Sequence, residues 1–450
     1  MNRLFSLLFL FLPLLAVSQQ TADEHQSKKT IEALQRLSTQ YDIQRVAGPD
    51  AVVVEKDKKS GIVSLDGRII QPLRYDWIYR TYGSNLLMLW LDNKACFADC
   101  NGNIVIPDEG YDFEEAFGAD DAPTFTNGML SVSRNDKYGI IDTTGRVVIP
   151  LKFNGPVYFD TKLSLLFASS YDYETYDSHY AIMNLDGDTL MQPDDYCRTQ
   201  YEGIIAVKNG GTWNFYDTNK RKALKGKYDN IMMRGRLISV QNKGHWYLVD
   251  ASGKRYYKNI GKHIDDTVPF YQSESGLIWG FRGDGYGAVD MQGRTIIPFK
   301  EEQDIFDETI PDRIVMMADG YMLMVYDRKG TLLGTYESAF YPIEDYYGIE
   351  IIPVNKDGKT ALLDIRENRL LPFRYEYLYY VDNEHFEARL NDGSVAFIDN
   401  KGNIIVKAPF EWIVNIGEGI YKFVIKSLDD PEKEIQYFVD EYGNNTYNGK

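Results

Sequence analysis

The sequence has little of what catalytic and metal-binding proteins use. Its 450 residues include only five histidines: His25, His179, His245, His263 and His385. None stands at a metal-binding spacing such as His-Glu-x-x-His, and there is no phosphate-binding glycine loop, Gly-x-Ser-x-Gly elbow or dinucleotide fingerprint. We therefore predict a protein that is not an enzyme and has no catalytic residues, metal ion or cofactor. The histidines are expected at the surface or in turns.

Cysteine is equally scarce, with Cys96, Cys100 and Cys197 only. A disulfide-stabilised secreted scaffold uses more cysteines, in an even number. A zinc site is not indicated, because no second cysteine pair lies at the required spacing. We expect three buried thiols, with one disulfide and a single remaining thiol as the alternative.

Positive charge is also in short supply. Lysine and arginine number 49 against 66 acidic residues, a formal net charge of −17, and the basic residues are scattered among acids. Such a chain repels nucleic acid and anionic lipid at long range. The composition therefore predicts no nucleic-acid partner.

Residues 1–18 have the features of a secretory signal. Arg3 supplies the positive start, residues 4–17 are almost wholly apolar, and Ala16-Val17-Ser18 places small residues where signal peptidase needs them. We predict cleavage before Gln19 and export to the bacterial periplasm, outer cell surface or exterior. An uncleaved N-terminal anchor is the alternative. No later segment is apolar enough to span a membrane, and the mature chain has a formal charge of −18.

A repeated unit of about 38 residues fills most of the chain. Its clearest copy runs from Lys137 through Asp142 and Gly145 to Pro150 and Phe153. A short apolar run suits a strand, Asp starts a turn, and Gly three residues later accepts the positive φ of a type I turn with a G1 bulge. Eleven positions align on this turn: Gly67, Gly102, Gly145, Gly187, Lys220, Gly253, Gly293, Gly330, Asn368, Gly402 and Gly443.

The unit resembles the WG-repeat (WG containing repeat) family, which combines a Trp/Tyr-Gly dipeptide, apolar residues, Asp, a glycine turn and an apolar return ending in Pro. Tyr138-Gly139 and Tyr286-Gly287 match the dipeptide with Tyr in place of Trp. The resemblance covers roughly residues 60 to 445. It implies a β-structured repeat and no particular activity.

These observations predict an all-β fold, a tandem β-hairpin repeat array of three- to four-stranded units that is open or superhelical. A closed β-propeller is the alternative, because a blade has four strands and a similar length. The domains are a signal peptide at 1–18, a short helical cap at 19–45 and about eleven units at 46–450. Ile31, Leu34 and Leu37 recur at helical spacing, as expected for a helix that covers the open face of a terminal repeat.

Tyrosine is unusually frequent, with 34 residues against 22 phenylalanines. Tyr75, Tyr228 and Tyr375 are in phase with the repeat and are expected to pack one unit on the next. Other tyrosines are out of phase and form a candidate interaction surface for sugars or protein partners: Tyr171, Tyr173, Tyr176, Tyr180, Tyr341, Tyr346 and Tyr347. The sequence thus favours a non-catalytic binding scaffold with a protein or glycan partner at the cell surface. A secreted polysaccharide- or peptide-active enzyme is the alternative.

Overall fold

A computed structural model of the chain describes residues 23–113, 123–160, 163–172, 177–201, 203–217, 226–234, 237–258, 260–273, 275–283, 285–300, 303–307, 310–318, 321–339, 349–427 and 434–447. Within them one helix, α1, spans residues 23–37, and a single 3₁₀ turn spans Ile260–Lys262. All other regular structure there is β-strand. The predicted signal sequence lies outside the described residues.

The strands form eleven successive units, which we number in chain order. Units 1 to 6 are β1 to β4 (Asp42–Gly48, Ala51–Lys56, Lys59–Ser64, Ile69–Tyr75), β5 to β8 (Trp77–Arg80, Leu87–Leu91, Lys94–Ala98, Ile104–Ile106), β9 to β11 (Met129–Arg134, Lys137–Asp142, Val147–Phe153), β12 to β15 (Val157–Asp160, Leu165–Asp172, Asp177–Met183, Thr189–Met191), β16 to β18 (Asp195–Tyr201, Ile204–Asn209, Thr212–Asp217) and β19 to β22 (Asn230–Met232, Ile238–Asn242, His245–Val249, Arg255–Tyr256).

Units 7 to 11 are β23 to β26 (Tyr271–Gln272, Ile278–Arg282, Gly285–Val289, Thr295–Lys300), β27 to β30 (Gln303–Asp307, Arg313–Ala318, Met322–Asp327, Leu332–Ser338), β31 to β33 (Ile351–Lys356, Lys359–Asp364, Arg369–Leu370), β34 to β37 (Tyr375–Asp382, His385–Leu390, Val395–Asp399, Ile404–Lys407) and β38 to β40 (Trp412–Gly417, Ile420–Lys426, Glu434–Asp440). Units 8 to 10 share one sheet, because β30 pairs with β31 and β32 pairs with β34. Pairing between these strands is antiparallel, and none of the sheets that they build closes into a barrel.

The predicted Asp–Gly turn, which leads into the closing strand of a unit, has the expected chemistry. In unit 3, Asp142 Oδ1 accepts hydrogen bonds from the backbone N–H groups of Thr144 (2.9 Å) and Arg146 (3.1 Å). Gly145 has a φ of 83° and donates to the Asp142 carbonyl at 2.9 Å. The register between β10 and β11 shifts after this turn, as a bulge requires. All nine predicted turn glycines have positive φ, and so does Asn368. Lys220 lies outside the described residues.

A second turn type joins the two central strands of a unit. Asp57 and Lys58 both have positive φ, as do Asp92 and Asn93 in unit 2. This is the two-residue type I′ turn, whose twist matches that of the flanking strands. A four-stranded unit is therefore an antiparallel meander of consecutive hairpins, with the type I′ turn between its two central strands.

The central strands are buried on both faces because the units stack. On β2, Val52 and Val54 pack toward unit 11, whereas Ala51 and Val53 pack toward unit 2. Alternate residues of a strand point to opposite faces, so one strand serves two junctions. Both faces are apolar, which explains the continuous apolar runs seen in the sequence.

Buried apolar clusters connect every unit to the next. Among the described residues there are eleven such clusters, and ten of them join consecutive units. The eleventh joins unit 11 to unit 1 through Ile416, Ile420 and Phe438 on one side and Val52 and Val63 on the other. Eleven units in an array with separated ends would have only ten junctions. The sequence left an open array and a closed propeller as alternatives, and in the structure the terminal units pack against each other.

Helix α1 lies at this last junction. Ile31, Leu34 and Leu37 are buried in the cluster that joins units 11 and 1. In several other units the turn glycine abuts the last strand of the unit before it: a Cβ on Gly102 would lie 2.6 Å from Ile70 Cγ2. At Gly67 the neighbour is instead Leu37 of α1, at 3.8 Å. The helix thus contacts the turn of unit 1 where, at several other junctions, the last strand of the preceding unit does.

The main expectations for the fold are confirmed. The chain is all-β and is built from units of three or four antiparallel strands. One expectation was wrong: Cys96 and Cys100 are free thiols, but both are half-buried rather than buried. Cys96 pairs with Leu89 at a unit junction, where burial is incomplete. The side chain of Cys197 lies outside the described residues.

Candidate functional site: clefts where the last unit meets the first

A cleft of about 440 Å³ opens at the junction of α1, unit 1 and unit 11. The helix contributes one face, since residues 23, 26, 27 and 30 follow helical spacing. The turn that joins β1 to β2 contributes Gly48 and Pro49, and the type I′-like turn between β38 and β39 contributes Glu418. The cleft is therefore assembled from segments almost 400 residues apart in the chain.

A second cleft of about 220 Å³ adjoins the first and shares the β1–β2 turn and Glu418 with it. Unit 2 closes its far side with Arg80, Asn85 and Cys100. Gly48 permits the close approach of units 1 and 2 here, because a Cβ on it would lie 2.9 Å from the carbonyl oxygen of Cys100. The two clefts together reach from unit 11 across unit 1 to unit 2.

The larger cleft is acidic. Asp23, Glu418 and Glu441 line it, and no basic side chain does. Burial, a hydrogen bond with Glu441 and the negative charges of Glu441 and Asp23 raise the pKa of Tyr442. The raised pKa reflects the negative potential around Tyr442 in the larger cleft, because a nearby negative charge opposes formation of a phenolate.

The smaller cleft has one basic lining residue, Arg80, whose charge acts on a second arginine, Arg45. Desolvation and the neighbouring Arg80 charge lower the pKa of Arg45, against an opposing effect of Tyr82. Arg45 lies on β1, and Arg80 lies on β5, the first strand of the next unit. Within the described part of the chain, Arg45, Arg80 and Glu418 make no ion pair within 4.0 Å. Unpaired arginines are unexpected in a chain with a large excess of acids.

The sequence-predicted tyrosine surface is described only in part. The backbone of Tyr171 lies in β13, opposite Ser178, and Tyr180 lies in β14, opposite Ser169. Tyr180 is half-buried. The remaining predicted residues lie outside the described residues: Tyr173, Tyr176, Tyr341, Tyr346 and Tyr347. This surface stays a prediction.

The in-phase aromatics divide into two groups. Tyr75, Tyr228 and Tyr375 are at most 5% exposed and pack between units, as the repeat phase predicted. Later aromatics in two of these copies are exposed instead, with Trp77 at 56% and Tyr379 at 52%. In these two copies the in-phase tyrosine is therefore part of the core and the later aromatic lies at the surface.

A buried polar network joins units 10 and 11. Asp382 accepts hydrogen bonds from Tyr421 Oη (2.8 Å) and Asn415 Nδ2 (2.9 Å) and lies 2.9 Å from Nδ1 of His385. Despite the desolvation that opposes it, hydrogen bonds with His385, with the backbone N–H of Glu384 and with Tyr421 lower the pKa of Asp382 to about 2. His385 is buried and stacks on Phe397. His385 was expected at the surface or in a turn. It directly follows the turn between β34 and β35, but its side chain is buried, because the Asp382 carboxylate and the rings around it satisfy the imidazole.

Sequence reasoning did not single out Asp23, Arg80 or Glu418. None of them occupies a position that the repeat pattern defines. The available signal was indirect: helix α1 interrupts the repeat pattern, and it lies at the larger cleft. No group of three or more His, Cys, Asp or Glu side chains in the described ranges could hold a metal ion. No helix in those ranges is long and apolar enough to cross a membrane.

Comparison with solved structures found many similar chains, and the three described here have low identity. These three are BamB from Moraxella catarrhalis (10% identity, TM-score 0.28, 63% of this chain and 95% of that one), a eukaryotic initiation factor (11%, 0.35, 81% and 97%) and Hsv2 from Kluyvelomyces marxianus (12%, 0.26, 63% and 97%). With TM-scores below 0.5 these similarities support no conclusion about the chain. Comparison with curated proteins found no match.

The WG containing repeat family matches residues 138–155. This segment is the hairpin of β10 and β11, with Tyr138-Gly139, the Asp142 turn and the closing Pro150. It is also the copy in which the sequence pattern was clearest. The chain is therefore a β-repeat protein that carries a WG containing repeat.

Proposed function

We propose that this chain is an exported, non-catalytic binding protein of the cell envelope or exterior, and that its ligand site is the pair of clefts between units 11, 1 and 2. Export rests on the features of residues 1–18. Binding without catalysis is a common use of repeat arrays, since they present extended surfaces built from many units.

The observation that carries the proposal is the set of charged side chains at the clefts that packing does not explain. Turn glycines, closing prolines and in-phase aromatics account for the repeat itself. Arg80 and Glu418 take no part in a core cluster or an ion pair among the described residues, and both line the smaller cleft. Residues that the fold does not require, gathered in a concave surface, are the usual mark of a ligand site.

The proposal is tested by ligand capture. The mature chain from Gln19 is immobilised and offered glycans, peptides and small metabolites. Ser27→Trp places a large ring in the 440 Å³ cleft and should abolish capture. Lys28→Trp places the same ring one residue further along α1, where it lines neither cleft, and should leave capture unchanged.

Two outcomes would contradict the proposal. Capture that survives Ser27→Trp but is lost on replacing Tyr171, Tyr173 and Tyr176 by Ser would move the site to the tyrosine insertion. Conversion of a captured ligand into product would favour the polysaccharide- or peptide-active enzyme. Melting temperatures of all variants serve as the folding control.

A further inference from the structure

Arg80 and Glu418 line the same 220 Å³ cleft from different units. Arg80 ends β5 of unit 2, and Glu418 sits in the β38–β39 turn of unit 11, with the β1–β2 turn of unit 1 between them. They are more than 4.0 Å apart, since they form no ion pair, and each is exposed to solvent. This cleft thus presents one positive and one negative group that do not pair with each other.

The chemistry of the two groups is complementary to one type of small molecule. A guanidinium binds a carboxylate through two parallel hydrogen bonds, and a carboxylate binds an ammonium group. Asn85 adds an amide that can donate or accept beside Arg80. Sites for drug-sized ligands measure roughly 300–1,000 Å³, so a cleft of 220 Å³ suits a smaller metabolite.

The adjoining cleft extends this complementarity. It shares Glu418 and adds the carboxylates of Asp23 and Glu441, which face a space without a basic side chain. A ligand that reaches from the small cleft into the larger one meets a positive group first and negative groups afterwards. The matching ligand carries a carboxylate at one end and amines along the rest of its length.

We propose that the paired clefts bind a free amino acid with a cationic side chain, with its carboxylate on Arg80, its α-ammonium on Glu418 and its side-chain cation between Asp23 and Glu441. The inference rests on the proposed function, because it names the ligand class for the same site. No covalent step is involved, and binding requires only exchange of water for the three charged contacts.

The test is calorimetric titration of the mature chain with L-lysine at neutral pH and low salt, together with two matched compounds. Cadaverine lacks the carboxylate, and L-norleucine lacks the side-chain amine. We expect L-lysine to bind most tightly and cadaverine to bind at least about tenfold more weakly, the size of effect that loss of a charged hydrogen-bonded contact produces.

Substitutions test which side chain of the protein binds each end of the ligand. Arg80→Gln should weaken L-lysine about tenfold or more and leave cadaverine almost unchanged, whereas Arg68→Gln, an exposed arginine of unit 1 that lines neither cleft, should affect neither compound. Glu418→Gln should weaken all three compounds, and Glu411→Gln, an exposed acid of the same unit, should weaken none. These positions are exposed, so unchanged melting temperatures are expected.

The inference is overturned if L-lysine does not bind at millimolar concentration, if cadaverine binds as tightly as L-lysine, or if Arg80→Gln and Arg68→Gln behave alike. Its failure differs from failure of the proposed function. Capture of another ligand that Ser27→Trp abolishes would keep the clefts as the site and reject only the amino acid.

Discussion

Asp42 and Lys422 form an ion pair across 380 positions of the sequence, with 3.0 Å between Oδ1 and Nζ. Asp42 begins β1 of unit 1, and Lys422 lies in β39 of unit 11. The lysine side chain is 9% exposed and the aspartate side chain 43%. A partly solvated carboxylate thus satisfies a buried ammonium group at the junction of the two chain ends.

Removing that carboxylate should weaken the junction. We expect Asp42→Asn to lower the free energy of unfolding by about 1–2 kcal/mol, because the Lys422 charge would stay buried without a charged partner, with the solvent exposure of Asp42 limiting the loss. Urea denaturation measures the effect. The control is Asp108→Asn, which breaks the exposed pair of Lys94 and Asp108 at 3.7 Å and should cost almost nothing. Equal losses in the two variants would show that the buried ammonium does not need Asp42.

The packing of a turn against the preceding unit should be measurable as the loss of stability when the turn glycine is replaced by alanine. Gly102 and Gly253 have φ values of 81° and 79°, so alanine at either position meets the same backbone penalty of about 1–2 kcal/mol. A Cβ at Gly102 would also meet Ile70 at 2.6 Å, whereas nothing lies within 4 Å of one at Gly253. Gly102→Ala should therefore destabilise more than Gly253→Ala, by roughly 1–3 kcal/mol of overpacking. A thermal melt in which the two variants coincide would exclude this contact as a source of strain.

The network around Asp382 should make stability depend on pH in the acid range. Its pKa is lowered to about 2 in the folded chain, against about 3.9 for an unperturbed Asp. A depressed pKa means that the unfolded chain binds the proton more readily, so the contribution is complete above about pH 4 and is lost as the pH falls toward 2. Its size at neutral pH is about 2 kcal/mol.

Asp382→Asn should remove this part of the pH dependence, as measured by denaturation at a series of pH values between 2 and 5. Glu376→Gln is the control, since it removes an exposed carboxylate from the same strand without touching the network. If Asp382→Asn kept the parental slope over that range, the bonds from His385 and Tyr421 would not be what holds the Asp382 carboxylate ionised.

Processing of the N-terminus is predicted from residues 1–18 alone. The protein recovered from the exterior or periplasm of a bacterial host should begin at Gln19, as read by intact-mass spectrometry. Ala16→Arg should block cleavage, because signal peptidase accepts only small side chains at that position. Gln26→Arg adds the same charge at an exposed position of α1 and should leave the cut unchanged. Recovery of a full-length chain that retains Arg3 would support the uncleaved anchor instead.

Much of the local structure follows from sequence. The hairpin at Asp142 and Gly145 was predictable because a turn is decided by the conformational range of the few residues within it. Burial of Tyr75 and Tyr375 followed from their fixed place after the closing strand. The type I′ turn at Asp57 and Lys58 carried a weaker signal, since neither residue is Gly or Asn.

The candidate site could not be read from sequence in the same way. Asp23, Arg80 and Glu418 have no shared spacing, and they become neighbours only when unit 11 packs on unit 1. The buried position of His385 was hidden for a related reason. Its partner Tyr421 belongs to the next unit, and the pattern within one unit does not specify which side chains face each other across a junction.

By itself the sequence determined the repeated unit, its turns, its two apolar faces and the apolar side of α1. These features depend on interactions between residues close together in the chain. Only the tertiary structure decided that Asp42 meets Lys422 and that clefts form beside them. The meeting of the two ends depends on the small rotation between each pair of units, summed over the whole array, and each rotation is set by side-chain packing. The sequence pattern of one unit specifies the structure of that unit, but it does not specify the total rotation over all the units.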